Sequence, residues 1–327
     1  MKRVKWLTII FGSLIILMIL ATVFIGNYFV NYALVADGSG DDRESSEEIV
    51  DELKLEDIQT IESARESQTA ASEEWFETVD KEQVHIISSD GFQLNGHTYI
   101  HDDSDEWVFI VHGYKSNEKS SIVLAPYFYE GGYNVLTYDL RAHGESEGDF
   151  IGMGHLDGED LILWTDYILE EYGDVEIVYH GTSMGAATVM NAVGEENLPE
   201  EVKGFVIDAG YSSIWNIYES ELSHRFGLPP FPVLDMADIM ARVRAGYSFK
   251  NDGIAIERVA ETDLPMLLIH GENDDFVPVE MAYDIFDAKS SGEKQLEIFE
   301  GAGHSESKYI DEERYYDTVF SFLEEVF

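Results

Sequence analysis

Eight short β-rich runs, recurring from residue 82 to the C-terminus, restrict the fold of this 327-residue chain more than any other feature. They occupy residues 84–88, 93–100, 107–111, 134–138, 175–179, 204–207, 266–269 and 295–299. From the third onward they mostly alternate with helix-like segments near 119–130, 157–172, 184–194, 280–289 and 308–326. Strands that alternate with helices run in one direction, because each helix carries the chain back across the sheet. The rhythm predicts an α/β fold with a mainly parallel sheet covered on both faces. The first two runs, joined by Ser89-Asp90-Gly91, predict a hairpin. Residues of about 212–262 break the rhythm. They are helical, aromatic and Met-rich, with Pro229-Pro230-Phe231-Pro232 in the middle, and too many for a connecting loop. We read them as a helical cap inserted into a domain of residues 81–327.

Ahead of that domain the chain has three zones. Residues 1–5 carry Lys2, Arg3 and Lys5. Residues 6–30 are almost continuously apolar, and no charge appears before Asp37. A helix needs ~20 residues to cross a hydrocarbon core, whereas a secretory signal has an apolar stretch of ~7–15. Ala33-Leu34-Val35-Ala36 matches a cleavage site only in part, so the run reads as an uncleaved single-pass anchor. The basic flank predicts a cytoplasmic N-terminus and a domain outside the cell membrane. Residues 31–80 read as an acidic spacer: residues 37–57 hold ten acidic and two basic side chains. Leu53, Leu55, Ile58 and Ile61 allow a weak amphipathic helix there, and Trp75 and Phe76 begin the packing onto the domain.

Composition excludes several functions. With 20 Lys and Arg against 65 Asp and Glu the formal charge is −45, which repels a phosphate backbone and argues against nucleic acid as partner. No cysteine is present, so a disulfide, a thiolate nucleophile and a Cys-ligated zinc are impossible. On an extracellular domain such charge suggests a saline or alkaline habitat, where salt near ~1 M shortens the Debye length to ~3 Å.

The pattern Gly-x-Ser-x-Gly occurs twice, and context separates the two copies. Gly144-Glu145-Ser146-Glu147-Gly148 has no strand leading into it, and its two carboxylates oppose a developing oxyanion. Gly181-Thr182-Ser183-Met184-Gly185 follows the apolar run 175–179 and opens a helix. This strand–turn–helix context is what a nucleophile elbow requires, and it sets the Ser183 hydroxyl at the positive end of a helix. A serine needs a base to take its proton. His304, in Gly301-Ala302-Gly303-His304-Ser305 after the last run, is placed for it. The base needs a carboxylate to fix its tautomer. Asp274 is preferred, because the order Ser183, Asp274, His304 then follows one known order of triads; Asp275 and Asp208 stay open as alternatives. The expected oxyanion donors are the N–H of Met184, next to the nucleophile, and that of Tyr114 in the loop His112-Gly113-Tyr114.

Together with Tyr138-Asp139-Leu140-Arg141-Ala142-His143-Gly144 and His270-Gly271-x-x-Asp274-x-x-Val277-Pro278, these motifs resemble the α/β-hydrolase superfamily. Over about three quarters of the chain it looks most like bacterial membrane-anchored hydrolases of the monoacylglycerol-lipase, cinnamoyl-esterase and serine-aminopeptidase-like branch. The resemblance implies that the loop of Asp139, Arg141 and His143 braces the oxyanion loop. The expected function is a serine carboxylesterase for small or medium esters, with no cofactor and no metal. A peptidase or amidase with the same triad is the alternative, and an inactive cell-surface binding module a third.

Overall fold

The computed structural model of the chain describes residues 2–35, 55–101 and 104–327. Most of the acidic run 37–57 therefore lies outside the described residues, as do Asp102 and Asp103. Two helices, α1 (Lys2–Leu34) and α2 (Leu55–Thr78), precede the hairpin β1 (Glu82–Ile87) and β2 (Gln93–Tyr99). β3 (Glu106–Val111) leads through α3 (Glu118–Ile122) and α4 (Ala125–Glu130) to β4 (Asn134–Tyr138). Then α5 (His155–Tyr172), β5 (Glu176–Thr182), α6 (Met184–Ala192) and β6 (Val202–Asp208) alternate. Three helices follow β6: α7 (Ile214–Phe226), α8 (Pro230–Arg244) and α9 (Ala255–Glu261). β7 (Met266–Gly271), α10 (Val279–Ala288), β8 (Lys294–Phe299), α11 (Ser307–Ile310) and α12 (Glu312–Val326) complete the chain.

The eight strands form one sheet in the order β1-β2-β4-β3-β5-β6-β7-β8. β1, β2 and β4 pair antiparallel, and the pairs from β4 through β3 to β8 are all parallel. All eight runs expected from the sequence are strands, and the fold is that of an α/β-hydrolase. The strand pleat explains why the inner strands look uniformly apolar. On β3, Trp107, Phe109 and Val111 point to the core on one face, while Val108 and Ile110 point to the core on the other. Both faces are covered, so no polar position is needed. α12 closes the second face with Tyr315, Val319, Phe322 and Leu323, buried at the spacing of one helical stripe.

Two N-terminal elements depart from the expected zones. α1 continues four residues past residue 30, and its last turns pack onto the domain: Val30 and Leu34 are wholly buried. α2 occupies much of the expected spacer and is docked as well. Its Gln68 amide donates to the Lys308 carbonyl at 3.1 Å and to Glu312 at 2.9 Å, and Arg65 pairs with Glu306 at 2.5 Å. Toward its other end Trp75 and Phe76 pack onto the domain as expected, the Trp75 ring 4.9 Å from that of Tyr99, while the polar contacts of Arg65 and Gln68 left no sign in the hydrophobic periodicity.

Candidate active site

A parallel sheet delivers its loops to the edge where the strands end, and the site is assembled there. β5 ends at Thr182, α6 begins at Met184, and Ser183 alone makes the turn between them. Its φ of 58° and ψ of −115° lie in a region that side-chain-bearing residues avoid, at a cost of about 1–3 kcal/mol. The surroundings hold it there. The Ser183 N–H donates to the Asp208 carbonyl at 2.8 Å on the neighbouring strand. Gly185 lies so close to the Val111 and His112 carbonyls that a Cβ would collide with backbone. The sharp turn leaves the Ser183 side chain aimed away from the sheet and only slightly exposed.

The loop after β8 brings His304 over this serine. His304 Nε2 lies 2.9 Å from Ser183 Oγ, and its Nδ1 lies 2.7 Å from Asp274 Oδ2. The loop after β7 supplies Asp274, whose side chain is fully buried. Its second oxygen accepts the Phe276 and Val277 N–H groups at 2.9 and 2.8 Å. Burial raises its carboxyl pKa, but the facing rings of His304 and His270, through electrostatic attraction and hydrogen bonds, outweigh that and hold it well below the usual range. Sequence spacing left three carboxylates open. In the fold Asp274 meets His304, while Asp208 is wholly buried and accepts the Tyr315 hydroxyl at 3.0 Å.

The loop carrying Tyr114 follows β3. His112 is buried, donates from Nδ1 to the Gly113 carbonyl at 2.8 Å, and accepts the Leu140 N–H at Nε2 at 3.0 Å. Burial and the nearby His143 push its pKa down to about 3, so the ring is neutral and this donor–acceptor assignment is the one available to it. His143 Nε2 accepts the Lys115 N–H at 3.1 Å, and Asp139 accepts the N–H groups of Glu118 and Glu145, both at 2.7 Å. Arg141 anchors the same loop through two bonds to Asp160, at 2.7 and 2.8 Å. The loop of Asp139, Arg141 and His143 thus braces the segment carrying Tyr114. Ser146, in the other Gly-x-Ser-x-Gly copy, donates to the Asp139 carbonyl at 2.6 Å and accepts the Asn95 N–H at 2.9 Å, a turn-stabilising role.

Two spaces open from Ser183. One is an apolar pocket of about 770 Å³, counting the part open to solvent, walled by Tyr114, Tyr218, Leu222, Leu234 and Phe249. The other is an open cleft beside His304, with Arg65, Lys119 and Lys308 at its sides. The pocket also holds Phe29, Tyr32 and Ala33 of α1. Sequence reasoning missed those three, because a continuous apolar run shows no mark where it begins to pack onto the domain. It also assigned no role to His270, whose Nε2 donates to the Val277 carbonyl at 2.8 Å and lies 3.4 Å from Asp274 Oδ2. That side chain was legible in the His270-Gly271-x-x-Asp274 spacing. Among the described residues no group of three or more His, Asp or Glu is placed to hold a metal ion.

Comparison with known proteins agrees with the fold. An esterase of Pyrococcus furiosus superposes with a TM-score of 0.62 at 22% identity, over 76% of this chain and 92% of that one. Est1E of Butyrivibrio proteoclasticus, with ferulic acid bound, gives 0.58 at 20% identity, over 74% and 98%. In sequence, the uncharacterized protein YqkD of Bacillus subtilis is 28% identical over 253 residues, 77% of this chain and 82% of YqkD. The lysophosphatidylserine lipase ABHD12 of Macaca fascicularis is 28% identical over 160 residues; the match spans 47% of this chain and 37% of that longer protein. The family model described as serine aminopeptidase, S33, matches residues 102–251 and 235–307. The chain belongs to that family, within the α/β-hydrolase superfamily.

Proposed function

We propose that the protein is a membrane-anchored serine carboxylesterase acting on small or medium esters. The observation that carries this reading is the continuous chain of hydrogen bonds from Asp274 through His304 to Ser183. His304 Nε2 takes the Ser183 proton as Oγ bonds to the ester carbonyl carbon. Negative charge collects on the carbonyl oxygen, where the N–H groups of Met184 and Tyr114 receive it. Collapse breaks the ester C–O bond, and His304 returns its proton to the departing alkoxide. Water, deprotonated by the same imidazole, then attacks the acyl-enzyme, which frees the acid and restores the Ser183 hydroxyl. Asp274 stays ionised throughout and stabilises the imidazolium that forms twice per cycle.

The apolar pocket beside Ser183 supports an acyl group as the part bound there, and the 28% identity to a lysophosphatidylserine lipase supports an ester over an amide. Ser183→Ala is expected to lower ester hydrolysis by at least ~10⁴-fold, and a fluorophosphonate to label the native protein at Ser183. Unchanged hydrolysis by that variant would refute the assignment. A panel of aryl esters against aminoacyl amides separates esterase from aminopeptidase, and a binding module gives neither labelling nor turnover.

We place the catalytic domain outside the cell membrane. Trp6–Leu34 is long and apolar enough to span a bilayer, and the basic residues lie on its N-terminal side. Its last turns support retention of the helix. Cleavage after residue 36 would leave Val30 and Leu34, both without exposed surface, free to dissociate from the core they complete. Protease protection of an N-terminal tag in intact cells tests the orientation.

A further inference from the structure

α1 changes character along its length. Between Trp6 and Phe24 its large apolar side chains are mostly exposed, with Phe24 at 79%. That stretch, about 20 residues, is close to the ~30 Å of one hydrocarbon core. From Gly26 onward the helix is packed against protein. Gly26 meets Met236 and Met240 of α8 so closely that a Cβ has no room. Phe29 and Tyr32 both pack edge-on against Phe226 of α7, with ring centroids 5.4 and 5.6 Å apart. Arg244 of α8 donates to Asn27 at 3.0 Å and Asn31 at 2.7 Å. The cap therefore sits where the helix leaves the bilayer.

The end of α1 is also tied to the oxyanion loop. The last carbonyls of a helix lack partners within it. Here the Tyr114 hydroxyl donates to the Ala33 carbonyl at 2.7 Å, the Lys115 ammonium to that of Tyr32 at 3.4 Å, and the Ile151 N–H to that of Leu34 at 2.8 Å. Phe29, Tyr32 and Ala33 consequently face the same apolar pocket as Ser183. By helix rise these three lie ~6–12 Å beyond Ile25, at headgroup depth. On α8, which packs along α1, Phe231, Val243 and Ile239 are exposed, at 75, 73 and 49%. Exposed apolar side chains on a helix beside the span are suited to a lipid surface and ill suited to water.

We propose that Phe29, Tyr32 and Ala33 of the membrane-spanning helix are specificity residues of the active site. They form the wall along which an acyl chain lies, so that a single-chain acyl ester reaches Ser183 from the leaflet beside α1. Its alcohol portion then occupies the open cleft on the other side of Ser183, between Arg65, Lys119 and Lys308. The proposal rests on the esterase reading above.

The test uses the full chain in phosphatidylcholine proteoliposomes and a series of p-nitrophenyl esters from acetate to dodecanoate. Ala33→Phe, which fills the wall, is expected to lower the dodecanoate-to-acetate ratio of kcat/KM about tenfold. Phe29→Ala, which opens it, moves the preferred length to a longer chain. Phe24→Ala, one turn and more toward the bilayer centre, leaves the ratio unchanged. Fluorophosphonate labelling at Ser183 certifies that each variant is folded. Ratios unchanged in both labelled wall variants overturn the proposal and leave the esterase reading intact. Absence of labelling in the native protein overturns both. For the route, monooleoylglycerol at fixed bulk concentration is diluted with phosphatidylcholine. Hydrolysis that falls with its mole fraction in the bilayer supports entry from the leaflet, and hydrolysis indifferent to that fraction overturns it.

Discussion

Replacing Asp274 by Asn changes one atom and leaves the shape of the site intact, so its effect can be worked from the bonds. One carboxylate oxygen accepts two backbone N–H groups, from Phe276 and Val277, and the other accepts His304 Nδ1–H. An asparagine has one oxygen and one NH₂. If the NH₂ faced Phe276 and Val277, donors would meet donors, and each buried unmade bond costs about 1–3 kcal/mol. The oxygen is therefore fixed on that side, and the NH₂ points at His304. His304 Nδ1 must then accept, which forces the proton onto Nε2. A protonated Nε2 can donate to Ser183 Oγ but cannot take its proton. The imidazolium also loses its carboxylate. The combined effect is expected to be ~10⁴-fold in kcat, or ~5.5 kcal/mol of barrier, with KM little changed. Stopped-time hydrolysis of p-nitrophenyl acetate, with circular dichroism to verify the fold, measures it. Activity of Asp274→Asn within tenfold of the native enzyme would refute the assigned roles of both Asp274 and His304.

The other predictions concern the supports of the site. Gly185→Ala drives a Cβ into the Val111 carbonyl and is expected to destabilise the domain by more than ~3 kcal/mol, read from urea denaturation. His112 has a folded pKa near 3 against an ordinary value near 6.5, so the unfolded chain binds the extra proton between those values. Its contribution to stability is present above pH ~6.5 and is lost as pH falls toward 3; a melting-temperature profile that is flatter from pH 6.5 to 4 in His112→Gln than in the native protein checks this. The charge of −45 predicts a melting temperature that rises by several degrees between ~0.05 and ~1 M salt, and equal values would count against surface repulsion as a destabilising force.

Much of the architecture could be read from local pattern. A strand buried on both faces must be apolar and short, and the runs of β3 to β7 announced themselves that way, while β1 and β2 alternate exposed and covered positions and β8 is only partly covered. The turn at Ser183, our proposed nucleophile, was legible for a similar reason: it is a local structure, and Gly181, Ser183 and Gly185 are required within five residues by its own sterics. The acid was only partly legible. Asp208, Asp274 and Asp275 all follow strands that end near Ser183, and chain order ranked them without deciding among them. The decision lies in distance, because one of them reaches His304 at 2.7 Å.

What the sequence determined by itself was therefore the strand–helix alternation, the apolar N-terminal helix and the sharp turn at Ser183, each encoded by residues close together in the chain. The tertiary structure decided what depends on residues far apart. It chose the partner of His304, docked α2 through Arg65 and Gln68 as well as Trp75 and Phe76, and set the end of the apolar helix α1 along the pocket beside Ser183. An apolar residue such as Phe29 satisfies the same hydrophobic rule in lipid or against protein. Only the packing of α7 and α8 against it, and the bond from Tyr114 to Ala33, place that segment beside Ser183.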